Sequence, residues 1–174
     1  MKIETERLIL RPVSADDVDD IYEYAKGSNV GPNAGWKPHE SKKETLEIAK
    51  EIFFDKENIF GMVLKESNRM IGTIGLVDDP KRENPNSKML GYAMDETYWG
   101  KGLMTEAAKA VISYSFNEFS LKLISAYCYP FNKRSKGVIK KCGFKYEGTL
   151  SFAEKRYDGE TYDIECYSII NNKV

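Results

Sequence analysis

The sequence has few histidines and cysteines, and these shortages narrow the chemistry that it can perform. His39 is the only histidine, and the three cysteines lie far apart without a C-x-x-C pair. Structural zinc sites need clustered cysteines and histidines, so we expect no metal site. A Cys-His or Ser-His nucleophile would depend on His39 alone, and no nucleophile motif stands beside it. The odd number of cysteines favours free thiols in a reducing compartment.

An excess of charge of one sign is also missing. The chain has 26 basic and 27 acidic residues and a net charge of -1, so no overall field attracts it to nucleic acid or anionic lipid. No apolar run reaches the roughly 20 residues of a membrane span, and residues 1–11 contain acidic side chains where a signal peptide is apolar. We therefore expect a cytoplasmic protein that binds neither nucleic acid nor membrane.

Length and composition predict one folded domain covering residues 1–174, since 41% of the 174 residues are apolar and no repeat or linker divides them. The order of the patterns, β-α-α-β-β-β-α-β-α-β-β, predicts a mixed α/β (α+β) domain with a mostly antiparallel sheet. Residues 27–38 hold three glycines and two prolines and are predicted to form a loop. The predicted strands are residues 7–13, 59–65, 70–77, 89–94, 121–129, 144–157 and 160–170, and helices are predicted to begin at Ser14, Ser41, the glycine turn near Gly102, and Asn132.

Two short motifs indicate chemistry. Gly100 and Gly102 lie in a turn between a strand and a helix, where unpaired N–H groups and the helix dipole favour an anion. Asn132 and Ser135 stand at the start of a later helix. Each motif alone is better explained by a structural role, as a tight turn or as a helix cap.

The two motifs in this order resemble those of the GNAT superfamily of acyl-CoA-dependent N-acetyltransferases, and in particular its RimJ/RimL-like branch of ribosomal-protein N-terminal acetyltransferases. Residues 99–107 read WGKGLMTEA, and residues 132–144 read NKRSKGVIKKCGF. The resemblance extends from TERLILRPVSADDVDDIY near the start to RYDGETYDIECYSII near the end. Trp99 is usual for this branch, whereas Met104 stands where the superfamily motif has Gly or Ala.

The resemblance implies a GNAT fold, in which a mixed, mostly antiparallel central sheet flanked by about four helices splits into a V between residues 89–94 and 121–129. Acetyl-CoA would lie in this split. The resemblance assigns the backbone of Ala93 and Met94 to the pantetheine arm, and Asn132 to the pantetheine or phosphate region. Lys133, Arg134 and Lys136 either approach the phosphates or form a solvated face. The N–H groups assigned to the pyrophosphate are those of Lys101, Gly102, Leu103, Met104 and Thr105.

Catalysis would require a donor for the oxyanion, an acid for the leaving thiolate and a base for the amine. A bulged-strand N–H near Met94 is the candidate oxyanion donor, and the resemblance makes Ser135 the general acid. The base stays open among Asp78, Asp79, Asp95, Glu96 and His39, and the Asp78 and Asp79 pair is favoured because two adjacent carboxylates can raise one pKa. A water chain in place of a dedicated base is the alternative for an α-amine. Trp36, Tyr92, Tyr127 and Tyr129 either line the acceptor cleft or belong to the core beneath it. His39 either borders the acceptor site or is a surface or half-buried loop histidine.

The resemblance therefore predicts an enzyme, an acetyl-CoA-dependent N-acetyltransferase that acts by direct attack in a ternary complex. The expected acceptor is the α-amine of a protein or peptide N terminus. The alternatives are a small amine, such as a polyamine, an amino acid or an antibiotic, and a non-catalytic CoA-binding regulator. The chain is expected to be a monomer or a homodimer.

Overall fold

A computed structural model describes residues 1–171, and in this part of the chain eight strands form one sheet. The strand order is β1-β2-β3-β4-β5-β6-β8-β7, and every neighbouring pair is antiparallel except β5 and β6. The mixed, mostly antiparallel sheet is confirmed. The strands are β1 Ile3–Glu4, β2 Leu8–Arg11, β3 Ile59–Leu64, β4 Arg69–Asp78, β5 Ser87–Met94, β6 Leu123–Cys128, β7 Lys145–Lys155 and β8 Thr161–Ile170.

Five α-helices lie within the described residues, one more than the resemblance implied. They are α1 Val18–Ala25, α2 Val30–Ala34, α3 Lys42–Ile52, α4 Leu103–Glu118 and α5 Lys133–Lys141. The additional helix is α2, which lies inside residues 27–38, so the prediction of a plain loop there was wrong. Burial of Val30 stabilises this short helix, and Gly35 ends it with a φ of 91°, which suits glycine.

The local signals for helix starts and for the last hairpin are confirmed. Ser14 and Asp17 form a capping box ahead of α1, and the Ser41 hydroxyl accepts the N–H of Glu44 at 3.2 Å at the start of α3. Gly159 has a φ of 87° in the turn between β7 and β8. These features depend on neighbours in the sequence, which is why a pattern could find them.

The sheet opens between β5 and β6. Residues 87–89 pair in parallel with residues 123–125, and beyond that point each strand continues without pairing to the other. The pairing of β4 with β5 runs without a register shift as far as Met94, so the expected bulge near Met94 is absent. The split arises because the two strands diverge, and a bulge is not needed to make it.

Side chains alternate between the two faces of the sheet. Leu90 and Met94 of β5 and Cys128 of β6 belong to the core beneath α4 and α5, which we call the α4–α5 face. Ala93 packs instead with residues of α1 and α3 on the opposite side, which we call the α1–α3 face. The opening between β5 and β6 therefore connects the two faces. Within residues 1–171 no helix is both long and apolar enough to cross a membrane.

Candidate active site

The opening between β5 and β6 is a cleft of about 570 Å³, and residues from both faces of the sheet line it. It contains many of the residues singled out from the sequence. They include Tyr92, Ala93, Met94, Gly102, Met104, Thr105, Tyr127, Asn132 and Ser135. The cleft runs from the first turn of α4 through the sheet to α2 and β7, so two molecules can enter it from opposite faces.

The first turn of α4 is shaped for an anion. Gly102 caps the helix with a φ of 79°, a conformation that favours glycine, and the backbone N–H of Glu106 donates to the Gly102 carbonyl. The N–H groups of the residues before Glu106 have no partner within the helix. Arg7 holds this turn by donating to the Lys101 carbonyl at 2.9 Å and pairing with Glu106 at 2.7 Å.

Cations surround this end of the cleft. Lys133, Arg134 and Lys141 of α5 line it, and the Arg134 guanidinium stacks on the Trp99 ring at 4.7 Å. Met104 is buried in the core of the α4–α5 face, so the packing accommodates its larger side chain. A helix N terminus beside three cations fits the pyrophosphate and nucleotide phosphates of acetyl-CoA.

The peptide groups of β5 that face the cleft are only partly the expected ones. The Asp95 N–H donates to the Ile71 carbonyl of β4, and in an antiparallel ladder every second residue repeats that arrangement. The peptide groups of Ala93 therefore face β4, and the expectation that they bind pantetheine is corrected. Those of Tyr92 and Met94 face the cleft instead, although Trp99 Nε1 already donates to the Met94 carbonyl at 2.8 Å.

Asn132 joins two elements at the cleft wall. Its Oδ1 accepts the N–H of Ser135 at 3.0 Å and so caps α5, while its Nδ2 donates to the Asn33 carbonyl of α2 at 3.0 Å. These two bonds use one acceptor site and one donor hydrogen of the amide. The contact that the resemblance implied with the cofactor would rely on the remaining sites, and it stays a prediction.

Ser135 forms a hydrogen-bonded pair with a buried tyrosine. Ser135 Oγ lies 2.9 Å from the Tyr92 hydroxyl, and both residues line the cleft on the α4–α5 face. Burial raises the pKa of Tyr92, although the hydrogen bond with Ser135 opposes the shift. The phenol therefore stays protonated at neutral pH and is able to donate to Ser135 Oγ, which leaves the serine hydrogen available to another acceptor.

The tertiary structure adds a carboxylate that the sequence analysis missed. Glu154 is the one acidic residue among the described residues that line the cleft, and its Oε1 accepts a hydrogen bond from the Tyr129 hydroxyl. Gly35 packs closely against this pair, because a Cβ there would lie 2.9 Å from the tyrosine oxygen. In the ladder between β7 and β8, Leu150 pairs with Ile164 and Glu154 pairs with Tyr162. A step of four residues along β7 therefore matches a step of only two along β8, so β7 bulges between these pairs. This bulge turns Glu154 into the cleft, and no pattern in the sequence marks it.

Asp79, the favoured base, is committed to structural contacts. Its carboxylate accepts from the Ser125 hydroxyl at 2.6 Å, the Tyr127 hydroxyl at 2.7 Å and the Lys81 N–H at 2.9 Å. Burial acts to raise the pKa of Asp79, but these hydrogen bonds and Arg82 outweigh it and lower that pKa. Asp78 does not add to the site, since it is exposed and pairs with Lys88. The prediction that the adjacent carboxylates raise one pKa was wrong.

The other candidate bases also lie outside the cleft lining. His39 is buried, its Nδ1 lies 2.9 Å from Thr45 Oγ1, and burial lowers its pKa. Trp36 packs beside His39 and against the core of the α1–α3 face, so neither residue lines the cleft as expected. Asp95 accepts the Thr97 N–H at 2.9 Å, and Glu96 accepts from the Asn29 amide at 2.5 Å.

Replacing Asp79 with Asn is expected to lower the free energy of unfolding by about 2 kcal/mol, because buried donors lose a charged acceptor. The pKa of Asp79 is lowered in the folded state, so its contribution is present above the unfolded pKa and is lost as the pH falls through the folded one. Urea denaturation between pH 7 and pH 3 should therefore show the wild-type and variant curves converging in acid. The exposed Asp78→Asn is the control, and an equal loss in both variants would contradict the prediction.

The split sheet and the helix N terminus beside three cations fit an acyl-CoA-dependent transferase. Residues 7–145 match the model of the acetyltransferase (GNAT) domain family, and the chain belongs to this family. It is an N-acetyltransferase that uses acetyl-CoA as the acetyl donor.

Known relatives share most of the chain's length. An uncharacterized N-acetyltransferase, YnaD, of Bacillus subtilis is 32% identical over 176 residues, covering 99% of each chain. A GNAT-family acetyltransferase structure from Bacillus anthracis has a TM-score of 0.86 and 26% identity, covering 98% of each chain.

The similar solved structures include enzymes named for two kinds of acceptor. A ribosomal-protein-S5-alanine acetyltransferase from Vibrio fischeri has a TM-score of 0.76 and 25% identity over 99% of this chain and 97% of its own. A spermidine N-acetyltransferase from Vibrio cholerae shares the fold, with a TM-score of 0.80 and 21% identity over 97% of this chain and 98% of its own. The comparisons therefore give the reaction class and leave the acceptor to be argued from the site.

Proposed function

We propose that this N-acetyltransferase acts on the α-amine of a protein or peptide N terminus, by direct attack within a ternary complex. The observation that carries the proposal is the cleft that opens on both faces of the sheet, with the Ser135–Tyr92 pair on one face and Glu154 on the other. The relative that acts on ribosomal protein S5 alanine gives the same acceptor class.

The amine must lose a proton before it attacks, because an α-amine has a pKa of about 7.7–8.0 and is mostly protonated at pH 7. We assign that proton to the carboxylate of Glu154, which lines the cleft. Its Oε1 already accepts from Tyr129, which orients the carboxylate. An α-amine suits this base better than a lysine side chain, whose pKa of about 10.4 makes proton removal harder.

The leaving sulfur needs a proton as the C–S bond breaks. Ser135 Oγ carries a hydrogen that is free to point into the cleft when Tyr92 donates to the same oxygen. A serine hydroxyl is a weak acid on its own, and the tyrosine hydrogen bond assists it by stabilising negative charge on Oγ. The backbone N–H of Met94 faces the same space and is the candidate donor to the carbonyl oxygen.

Direct transfer is favoured over a covalent acyl-enzyme. Cys128 is the cysteine that lines the cleft, and burial raises its pKa to about 11. Thiolate is the nucleophilic form of cysteine, so this side chain is almost entirely unreactive at neutral pH. In the proposed site Glu154 takes the proton of the amine and Ser135 gives a proton to the leaving sulfur, so no residue has to carry the acetyl group between donor and acceptor.

The proposal is tested by incubating the protein with acetyl-CoA and peptides, and measuring CoA release together with the mass of the peptide. We expect an added acetyl group at the N terminus and none on a matched peptide whose N terminus is blocked but which retains a lysine. Initial rates should fit a sequential rate law. Acetylation of the blocked peptide, or a ping-pong rate law, would contradict the proposal.

Replacing Ser135 with Ala is expected to lower kcat about tenfold, because water or Tyr92 partly replaces the lost donor at the sulfur. Tyr92→Phe should give a smaller loss, since it removes the assisting hydrogen bond and leaves the serine in place. Steady-state kinetics with one peptide measure both effects. If Ser135→Ala retained full kcat, the assignment of Ser135 as the acid would fail.

A further inference from the structure

The charged residues that line the cleft fall into two groups. Lys133, Arg134 and Lys141 belong to α5 and surround the phosphate end. Lys81 and Glu154 lie with tyrosines of the α1–α3 face at the other end. The acceptor therefore meets one cation and one carboxylate.

The backbone of Lys81 is anchored by the buried Asp79. Its backbone N–H donates to Asp79 Oδ1 at 2.9 Å, and Asp79 is fixed in turn by Ser125 and Tyr127. The Lys81 ammonium lies 5.3 Å from the centroid of the Tyr127 ring. Lys81 lines the cleft and is exposed, and among residues 1–171 no carboxylate lies within ion-pair distance of its ammonium.

Lys81 and Glu154 flank one stretch of the cleft wall. Tyr127, beneath Lys81, and Tyr129, which donates to Glu154, are two residues apart and pack in the same apolar cluster. Residues i and i+2 of an extended strand lie about 7 Å apart on one face. An acceptor amine at Glu154 would therefore place a group several bonds away beside the Lys81 ammonium.

We propose that Lys81 binds a carboxylate of the acceptor, so that the preferred acceptor is an N terminus whose first or second residue is acidic. The inference rests on the proposed function and names the substrate class of that same site. A carboxylate beside a cation that lacks a counter-ion gains a charge-assisted hydrogen bond, whereas a second ammonium is repelled. Polyamines are therefore expected to be poor acceptors.

The test uses peptides of one length and composition that carry Glu, Gln or Lys at the first or the second position, one at a time. We expect kcat/KM to be about tenfold higher for Glu than for Gln and lower still for Lys. Spermidine and free glutamate are assayed beside them. If free glutamate were acetylated faster than any peptide, the inferred contact between Lys81 and a carboxylate would stand. The proposal that the acceptor is a peptide or protein N terminus would then be wrong.

Lys81→Glu should reverse the preference, so that the Lys peptide becomes better than the Glu peptide while acetyl-CoA affinity is unchanged. Lys43→Glu makes the same charge change on the exposed surface of α3 and should keep the wild-type preference. Equal rates for the Glu, Gln and Lys peptides, or an unchanged preference in Lys81→Glu, would overturn the inference alone. If the protein bound acetyl-CoA but acetylated no amine, the proposed function would fail and this inference with it.

Discussion

Replacing Glu154 with Gln is expected to lower kcat about 10³-fold, within the range that a positioned general base contributes. The amide keeps the size of the side chain and can still accept from Tyr129, but it cannot take a proton from the amine. Acetyl-CoA affinity should stay unchanged, because Glu154 lies at the other end of the cleft from the first turn of α4. Steady-state kinetics and calorimetric titration measure the two effects separately.

The division between kcat and KM distinguishes a base from a group that only binds the amine. If Glu154 merely held the ammonium, the substitution would raise the acceptor KM and spare kcat. Glu160→Gln, on an exposed turn between β7 and β8, is the matched control and should behave as wild type. A Glu154→Gln variant with normal kcat would remove Glu154 from the mechanism.

Replacing Gly102 with Val is expected to weaken acetyl-CoA binding about 100-fold. A φ of 79° costs a residue with a Cβ about 1–2 kcal/mol, and a β-branched side chain more, so the turn that presents the first N–H groups of α4 must shift. Gly102→Asn should be milder, because asparagine tolerates the left-handed conformation better. Calorimetric titration with acetyl-CoA measures the affinity of each variant.

Gly159→Val provides a control of equal strain. Gly159 has a φ of 87° in the turn between β7 and β8, and no other group lies within 4 Å of a Cβ built there. This variant should lose a similar amount of stability and keep its acetyl-CoA affinity. If both variants lost the same affinity, the effect would come from general destabilisation and the placement of the pyrophosphate at α4 would be wrong.

Local signals predicted the elements well. The hydrophobic periodicity, the capping box at Ser14, the serine cap at Ser41 and the turn at Gly159 all depend on residues within a few positions of one another. The predicted second half of a box at Ser41 is absent, because the Glu44 carboxylate accepts the N–H of Glu40 instead. The reaction class followed from the resemblance carried by two short motifs and is confirmed by the family match. The roles assigned to Ser135 and to the first turn of α4 stay predictions, although both lie in the cleft.

The errors concern side chains whose partners are distant in the sequence. Asp79 looked like half of a carboxylate pair, but Asp78 is exposed at the end of β4, whereas Asp79 is buried and its partners Ser125 and Tyr127 lie on β6. His39 has a suitable ordinary pKa, but it is buried against Thr45, away from the cleft. Whether the peptide groups of Ala93 face the cleft depends on which residues of β5 hydrogen-bond to β4. A shift of that register by one residue would reverse the arrangement.

The sequence by itself determined the order of seven strands and four helices, missing β1 and α2. It also identified the glycine turn before α4 and the serine at the start of α5, because each is encoded within one short segment. Only the tertiary structure decided which carboxylate lines the cleft. Glu154 reaches the cleft because β7 bulges against β8 and Tyr129 comes from a third strand, β6 with its extension. Long-range pairing sets such contacts, and no residue near Glu154 in the sequence records it.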